Sequence, residues 1–330
     1  MPPSIRPATP HDLPGIVALL IQDAQQRRSL DPLLWGLAPD AAARIERAVG
    51  GALDRFAPAR ELWLVAAHAG TIVGVSHAMT VPVPPIYDGA AGPPGFLLDD
   101  CFTSADAPSG TAESLLVATE AALKAAGASN LVASCPAGGP LRALHESHGY
   151  EPVTLYLAKH RFRADALSGV RAAGADDMPG IVTLSAEHRK TLARVNPRFW
   201  HIHPEADARF DAWMRRSLTL TDRDMLVAVE AGEVRGYIIA QPVAPLLVPA
   251  AHELAGIGVI DDFYDAAFAD VPAERDGGSG GRNLLSAAET AFARRAVDSA
   301  LVVCPAAWSS KVALLERMGY RAAKLWMLKR

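Results

Sequence analysis

Residues 97–116 read LLDDCFTSADAPSGTAESLL, and residues 259–285 read VIDDFYDAAFADVPAERDGGSGGRNLL. Each segment begins as an apolar strand that ends in two aspartates, crosses a loop of small residues and enters a helix with apolar residues at helical spacing. Small residues let backbone N–H groups approach an anion, and the start of a helix adds positive potential. We therefore expect a pyrophosphate to fit either loop. The alternative is that the glycines only turn the chain into a helix.

The sequence around these two segments is also duplicated. IRPATPHDLPGIV begins at residue 5 and VRAAGADDMPGIV at residue 170, and SCPAGGPLRALHESHGY ends at residue 150 where VCPAAWSSKVALLERMGY ends at residue 320. Because the shared segments keep the same order over the whole length, we interpret the chain as a tandem duplication. The predicted domains are residues 1–163 and 164–330, joined near Arg163 to Gly169.

Length and composition are those of two globular domains. The 330 residues exceed one typical core, half of them are hydrophobic and 21% are charged. The net charge of −4 gives no bulk attraction to nucleic acid or to an anionic membrane, so we expect neither as a partner. The beginning of the sequence does not resemble a signal peptide, and three cysteines without metal-binding spacing predict no disulfide framework and no metal site. The expected location is the cytoplasm.

Each repeat has the same predicted element order. A short strand and two helices precede two strands, whose turns at Ala69-Gly70 and Ala231-Gly232 suit a tight hairpin with positive φ. The aspartate-bearing strand, a helix, an apolar strand, another helix and one last strand follow. Such a strand–helix–strand crossover implies one parallel pair in an otherwise antiparallel sheet. The predicted fold class is α/β (α+β), with flanking helices on a mixed, mostly antiparallel sheet in each domain.

These features resemble the GNAT-type N-acetyltransferases, and the resemblance covers essentially the whole chain, twice. It rests on the element order, the strand that runs into a Gly-rich helix start, and the closing LRALHESHGY and ALLERMGY segments. It implies two tandem GNAT-like domains, each with a splayed parallel strand pair, which take acetyl from acetyl-CoA as co-substrate and need no metal. The family's loop signature is Gln/Arg-x-x-Gly-x-Gly/Ala. Its three positions hold Ala107, Gly110 and Ala112 in the first repeat and Asp276, Ser279 and Gly281 in the second.

The resemblance also implies which residues contact the cofactor. In the family, amides of this loop hold the CoA pyrophosphate, which an aspartate at position 276 would repel. The implied contacts are Cys101, Phe102, Ser109, Gly110, Thr111 and Ala112 in the first repeat, and Phe263, Tyr264, Gly280, Gly281 and Arg282 in the second.

Three residues are candidates for the chemistry. The family places a tyrosine general acid on the last helix, where this chain has His145 and Leu315. Histidine can donate a proton near neutral pH and leucine cannot, although His145 is alternatively an ordinary, partly buried histidine. Asp100 and Asp262 end the strand that lines the acetyl site in the family. Because adjacent strand residues face opposite sides, one aspartate of each pair should point into the cleft, to bind a cationic amine or relay its proton. Otherwise these acids cap amides or sit in solvent.

The predicted activity is an acyl-CoA-dependent N-acetyltransferase for a small-molecule or peptide amine, with one repeat catalytic and the other degenerate. The alternative is a non-catalytic acyl-CoA-binding sensor or scaffold. We interpret His201, His203 and Glu205 as acceptor contacts in preference to metal ligands, and Cys135 and Cys304 as small buried side chains.

Each repeat ends in one long apolar strand where the family has a hairpin. An apolar edge left open invites aggregation. We therefore expect the halves to pack through these edges, with strand exchange as one way to do so. The result would be one pseudo-twofold unit, either a monomer or half of a homodimer.

Overall fold

The computed structural model describes residues 2–53, 61–163, 169–269 and 278–330. In the first repeat the elements are β1 (Ser4–Pro7), α1 (Leu13–Leu30), α2 (Ala41–Leu53), β2 (Glu61–His68), β3 (Thr71–Thr80), β4 (Gly95–Leu97), β5 (Phe102–Thr103), α3 (Thr111–Ala125), β6 (Leu131–Pro136), α4 (Leu141–Ser147) and β7 (Tyr150–His160). In the second they are β8 (Val170–Ala172), α5 (Met178–Val195), α6 (Ala206–Ser217), β9 (Asp224–Glu230), β10 (Glu233–Pro242), β11 (Ile257–Ile260), β12 (Phe263–Asp265), α7 (Gly278–Arg294), β13 (Ser299–Pro305), α8 (Ser309–Arg317) and β14 (Arg321–Lys329). The predicted element order is confirmed in both repeats.

The first helix of each repeat starts from the same local arrangement. The Asp12 carboxylate accepts a hydrogen bond from the backbone N–H of Thr9 at 2.8 Å and two from the Arg6 guanidinium at 2.7 Å. The second repeat builds the same contacts from Arg171, Gly174 and Asp177. A carboxylate at this place satisfies an amide that the helix leaves unpaired and suits the helix dipole.

The strands of the described residues form one sheet. Its order is β1-β2-β3-β4-β6-β14-β7-β13-β11-β10-β9-β8, with β5 on β3 and β12 on β10. Two neighbouring pairs are parallel, β4 with β6 and β11 with β13, and the other pairs are antiparallel. One parallel pair in each repeat was expected, and it is confirmed.

The last strand of each repeat completes the sheet of the other repeat. Strand β14 pairs with β6, placing Leu325 opposite Cys135, and β7 pairs with β13, placing Leu157 opposite Val302. β7 and β14 also pair with each other at the centre. Strand exchange therefore covers the sheet edges that would stay open if each repeat had only its own single last strand. The boundary at residues 163 and 164 stays a sequence prediction, because residues 164–168 of the joint lie outside the described residues.

The loops that follow β3 and β10 interlock the repeats a second time. Leu37 of the first repeat forms a β-bridge with His252 of the second, and Tyr87 of the first forms one with Ile202 of the second. Each proline-rich loop thus reaches the segment between the first two helices of the other repeat. This reciprocal contact brings second-repeat residues to the site described below.

Several local predictions are confirmed by the backbone and by burial. The hairpin turns have positive φ, 49° and 81° at Ala69 and Gly70 and 51° and 85° at Ala231 and Gly232. Cys135 and Cys304 are fully buried, and burial raises the pKa of each thiol to about 12.

Among the described residues, no helix combines the length and the apolar character needed to cross a membrane.

Candidate functional site

A cleft opens in the first repeat where two parallel strands separate. β4 and β6 pair over only three residues, after which the chain leaves β4 and resumes as β5 on strand β3. The gap between β5 and the start of α4 encloses about 280 Å³. The predicted cofactor residues Cys101, Phe102 and Ala112 all line it, and Gly138 and Leu144 lie on the opposite wall. The expected splay is therefore present, and three predicted contacts face it.

The small-residue loop behaves partly as expected. Gly110 is the N-cap of α3 with a φ of 80°, a left-handed conformation that favours glycine. Ser109 and Gly110 are exposed, at a helix start whose first amides have no partner within the helix. Thr111 is different, because its N–H and its hydroxyl both donate to the carbonyl of Pro108, at 3.2 and 2.6 Å. Thr111 holds the turn, so its predicted role as a direct ligand contact has no support in this geometry.

His145 lies on a narrow extension of the cleft beside Ser76 and Cys101. The residue is 4% exposed, and its Nδ1 has no hydrogen-bond partner among the described residues. Burial lowers the pKa of His145 to about 4. The expectation that its pKa lies near neutrality is therefore wrong. At pH 7 the ring is neutral, and what it can offer a leaving thiolate is an N–H hydrogen bond.

Asp99 and Asp100 lie outside the strand, in the irregular segment between β4 and β5. Strand alternation therefore does not decide where they point, and both residues line a second cavity. This cavity of about 600 Å³ lies against α2 and the ends of β2 and β3. Residues 99–102 lie between the two, with Asp99 and Asp100 on this cavity and Cys101 and Phe102 on the cleft. We name the opening of about 280 Å³ the donor cleft and the second one the acceptor cavity.

A hydrogen-bonded trio forms one wall of the acceptor cavity. The His77 ring joins Asp100 through Nδ1 and Glu61 through Nε2, each at 3.1 Å, and stacks on Trp63 with ring centroids 3.9 Å apart. Burial lowers the pKa of His77, but the two carboxylates outweigh it and raise the pKa above its ordinary value. Sequence reasoning missed His77, Glu61 and Trp63. The available signal was a histidine inside the apolar strand β3, opposite Trp63 in the antiparallel register.

Asp99 belongs to a buried charge network that joins the repeats. Lys324 of β14 pairs with its carboxylate, Arg27 lies 3.5 Å from it, and Ser134 donates to it at 3.1 Å. Arg27 also binds Asp23 at 2.7 Å. Burial raises the pKa of Asp99, but Lys324 and Arg27 outweigh this and hold it below its usual range. The second repeat thus supplies a cation directly beside the first repeat's cavity.

Comparison with known proteins agrees with this architecture. No protein-family model matches the sequence, and no curated protein matches it. A GCN5-related N-acetyltransferase from Sphaerobacter thermophilus aligns over 99% of this chain and 94% of its own, with a TM-score of 0.54 at 16% identity. The chain has a tandem GNAT fold. A glucosamine N-acetyltransferase region of a fungal multi-domain beta-N-acetylglucosaminidase also aligns over 99% of this chain and 38% of its own, with a TM-score of 0.52 at 14% identity.

In the second GNAT repeat, side chains occupy the place of the donor cleft. Lys311 of α8 is 1% exposed and donates to the carbonyl of Phe263 at 2.6 Å, which ties α8 to β12. Its Nζ lies 4.9 and 5.2 Å from the ring centroids of Phe263 and Trp308. Trp308 is fully buried among Tyr264 and Phe268. The predicted contacts Phe263 and Tyr264 are therefore core side chains, and the space that Gly138 and Gly139 leave open in the first repeat is filled.

The start of α7 is also occupied in this GNAT repeat. Asp265, the counterpart of Thr103, is buried, and a Cβ at Gly280 would collide with its carboxylate. A Cβ at Gly281 would lie 2.6 Å from the Phe268 ring. These two glycines make room for neighbouring side chains, and their contact with a phosphate stays a prediction. Arg282 is exposed, and the signature position Asp276 lies outside the described residues.

Asp262 has different partners from Asp100. It accepts a hydrogen bond from Tyr237 at 2.7 Å and lies 3.2 Å from Nδ1 of His188, whose pKa is lowered by burial. Leu315, the counterpart of His145, is fully buried. Asp262 therefore lies beside aromatic rings, next to the position where side chains fill the second repeat's equivalent of the donor cleft.

The residues around His201 form an interlock between the GNAT repeats. The carbonyl of His201 accepts a hydrogen bond from the N–H of Asp88 at 2.7 Å, and Nδ1 of His203 accepts one from the N–H of Glu205 at 3.0 Å. Over the residues that the structure describes, no group of three or more His, Cys, Asp or Glu side chains is arranged to hold a metal ion. Acceptor contact by His201 and His203 stays a prediction.

Proposed function

We propose that this chain is an acyl-CoA-dependent N-acetyltransferase whose first repeat is catalytic and whose second repeat is degenerate. One observation carries the proposal. The first repeat has an open donor cleft next to an acceptor cavity, with Asp99 to Phe102 between them, whereas Trp308, Phe268 and Lys311 fill the same place in the second. The proposal keeps the division at residues 1–163 and 164–330, with the exchanged strands β7 and β14 crossing it.

Acetyl-CoA would place its thioester beside Cys101 and its pyrophosphate at the first turn of α3, beside the exposed residues Ser109 and Gly110. An ammonium group entering the acceptor cavity meets the carboxylates of Asp100 and Glu61. Asp100 takes the amine proton, directly or through water, and the amine nitrogen then attacks the thioester carbonyl. The C–S bond breaks, acetyl passes to nitrogen, and the nitrogen gives up its second proton to water as the amide forms. The neutral ring of His145 donates a hydrogen bond to the departing thiolate, which takes its proton from solvent.

The acetyl-CoA test uses one variant on the wall of the donor cleft and one at Trp308, whose position corresponds to the neighbouring Gly139. Gly138→Trp puts an indole into the donor cleft, where a Cβ meets only Leu30, at 3.8 Å. Trp308→Leu shortens the side chain that fills the second repeat and serves as the matched control. Calorimetry should show acetyl-CoA binding to the wild type and to Trp308→Leu, and none to Gly138→Trp.

Turnover separates the two functions that fit this cleft. Thiol release from acetyl-CoA is followed across a panel of primary amines, with an amine-free reaction as the blank. Amine-dependent release that Gly138→Trp abolishes supports transfer by the first repeat. Acetyl-CoA binding without release for any amine supports a non-catalytic acyl-CoA sensor, for which the alanine at position 107 of the loop is the favouring observation. Absence of binding contradicts both.

A further inference from the structure

The acceptor cavity has a roof that belongs to the other repeat. The loop from Pro245 to Leu254 covers it, between β10 and β11 of the second repeat. Backbone hydrogen bonds hold this loop on the first repeat: the N–H of Ala38 donates to Ala251 at 3.0 Å, and the N–H of Glu253 donates to Gly36 at 2.9 Å. The roof is therefore a fixed part of the cavity, and the two repeats build the cavity jointly.

The cavity walls are mainly apolar, with charged side chains at two places: Arg44 and Arg47 of α2, and the carboxylates beside His77. Leu20, Ile45 and Trp63 of the first repeat face Leu246, Val248 and Leu254 of the roof. The charged groups that could receive an ammonium, the carboxylates of Glu61 and Asp100, gather around His77. A volume of about 600 Å³ suits a small organic molecule. An ammonium group on an apolar body matches this division better than a polyamine or an amino sugar, whose further polar groups would meet apolar walls.

One buried polar side chain of the roof has no hydrogen bond of standard geometry among the described residues, although the backbone carbonyl groups of Gly36 and Trp35 approach its ring. His252 lines the cavity, is 1% exposed, and packs against Trp35 with ring centroids 5.3 Å apart. Neither ring nitrogen makes a hydrogen bond of standard geometry with any residue that the structure describes. Burial lowers the pKa of His252 to about 4, so the ring is neutral and offers one donor and one acceptor. A buried polar group in this state is costly unless a ligand completes its hydrogen bonding.

We propose that the acceptor is an amphiphilic primary amine, held by its ammonium at Asp100 and Glu61, by its apolar body between the two repeats, and by a hydroxyl or carbonyl at His252. The second repeat then acts as the specificity roof of the first repeat's site. This inference rests on the proposed function only in taking the bound amine as the acetyl acceptor.

The test measures amine binding by calorimetry in the absence of acetyl-CoA. The probes are tyramine, phenethylamine, which lacks only the hydroxyl, and spermidine, which has no apolar ring. Tyramine should bind roughly tenfold more tightly than phenethylamine, the worth of one hydrogen bond to a buried partner, and spermidine should bind most weakly. In His252→Phe the tyramine advantage should vanish, whereas His252→Asn keeps hydrogen-bonding groups and should retain part of it.

The exposed His11, which does not line the cavity, provides the control, and His11→Phe should leave all three affinities unchanged. Spermidine binding as tightly as tyramine, or a tyramine advantage that survives His252→Phe, would overturn the inference. Amine binding as described without acetyl transfer refutes the proposed function and leaves this cavity assignment standing. Acetyl transfer with no preference for an apolar amine refutes this inference alone.

Discussion

Replacing Lys324 by methionine tests a buried ionic contact between the two repeats. The Lys324 side chain is 1% exposed, and it pairs with Asp99 while also donating to the carbonyl of Leu247 at 2.8 Å. Methionine keeps the length of the side chain and removes its charge. Asp99, itself 4% exposed, would keep only Arg27 at 3.5 Å and the Ser134 hydroxyl.

Removing one member of a buried ion pair costs about 3–5 kcal/mol, because the remaining charge stays desolvated. Arg27 compensates Asp99 in part, so we expect a loss of about 3 kcal/mol in the free energy of unfolding. Urea denaturation at neutral pH measures it. Arg330→Met is the control, since Arg330 pairs with Glu151 at the surface and such pairs contribute about 0–1 kcal/mol.

The pH dependence of this loss has a fixed sign. Because Lys324 and Arg27 hold the folded pKa of Asp99 below its unfolded value of about 3.9, the pair's contribution is present above that pH. It is lost as pH falls through the folded pKa. The difference between wild type and Lys324→Met should therefore be constant from about pH 5 to 8 and shrink in acid. A loss below about 1 kcal/mol at neutral pH, or additive effects of Lys324→Met and Asp99→Asn, would refute this reasoning.

Three further predictions concern single side chains of the first repeat. Burial lowers the pKa of His77, but its carboxylate partners raise it overall. The contribution of His77 to the free energy of unfolding is therefore complete below about pH 6.5 and is lost as pH rises through the folded pKa. His77→Phe should remove this pH-dependent decline in urea titrations, and an unchanged decline would contradict the prediction. Gly110→Ala should lower the free energy of unfolding by about 1–2 kcal/mol, because its φ is 80° while the space around it is open. Gly51→Ala, also in open space but inside helix α2, should instead raise the free energy of unfolding, and equal changes in urea denaturation would refute the argument. His145→Phe should lower kcat by roughly tenfold at all pH values above about 5, since the ring is already neutral there; a kcat limb near pH 6.5 that disappears in the variant would show a general acid instead.

Much of the fold was accessible from sequence, because it depends on local patterns. The duplicated order of segments gave two equivalent repeats, and the small residues at Ala69-Gly70 and Ala231-Gly232 gave both hairpins. The crossover length gave the parallel pairs. The single strand after each Gly-Tyr stop made the open edges visible, and strand exchange is how the chain covers them.

The candidate site was predicted less completely, because it depends on contacts between distant segments. The alternation rule does not apply at Asp99 and Asp100, since the chain leaves the strand there. The contact of His77 with Glu61 requires the register of β2 against β3, and the approach of Lys324 to Asp99 requires strand exchange. The burial of His145, which lowers its pKa, cannot be determined from one sequence alone.

The residues that follow the buried strand differ between the repeats, and this difference is visible in the sequence. The first repeat reads Ala-Gly-Gly-Pro after its buried strand, and the second reads Ala-Ala-Trp-Ser. Trp308 stands where the first repeat has only glycine, and its indole fills the space between the separating strands. A large aromatic residue at this place identifies a closed cleft more directly than the composition of the phosphate loop does.

The second repeat, although its equivalent of the donor cleft is filled, contributes to the structure of the first repeat. It supplies β14 to the first repeat's sheet, Lys324 to Asp99, and the loop over the acceptor cavity. Losing the second repeat would therefore remove part of the first repeat's site.

A crystal structure with acetyl-CoA would show which repeat binds the acetyl donor. We expect one molecule per chain, with its pantetheine between β5 and α4, its pyrophosphate at the first turn of α3, and Trp308 unmoved in the second repeat. Acetyl-CoA bound at the start of α7, alone or in addition to the first repeat, would contradict it.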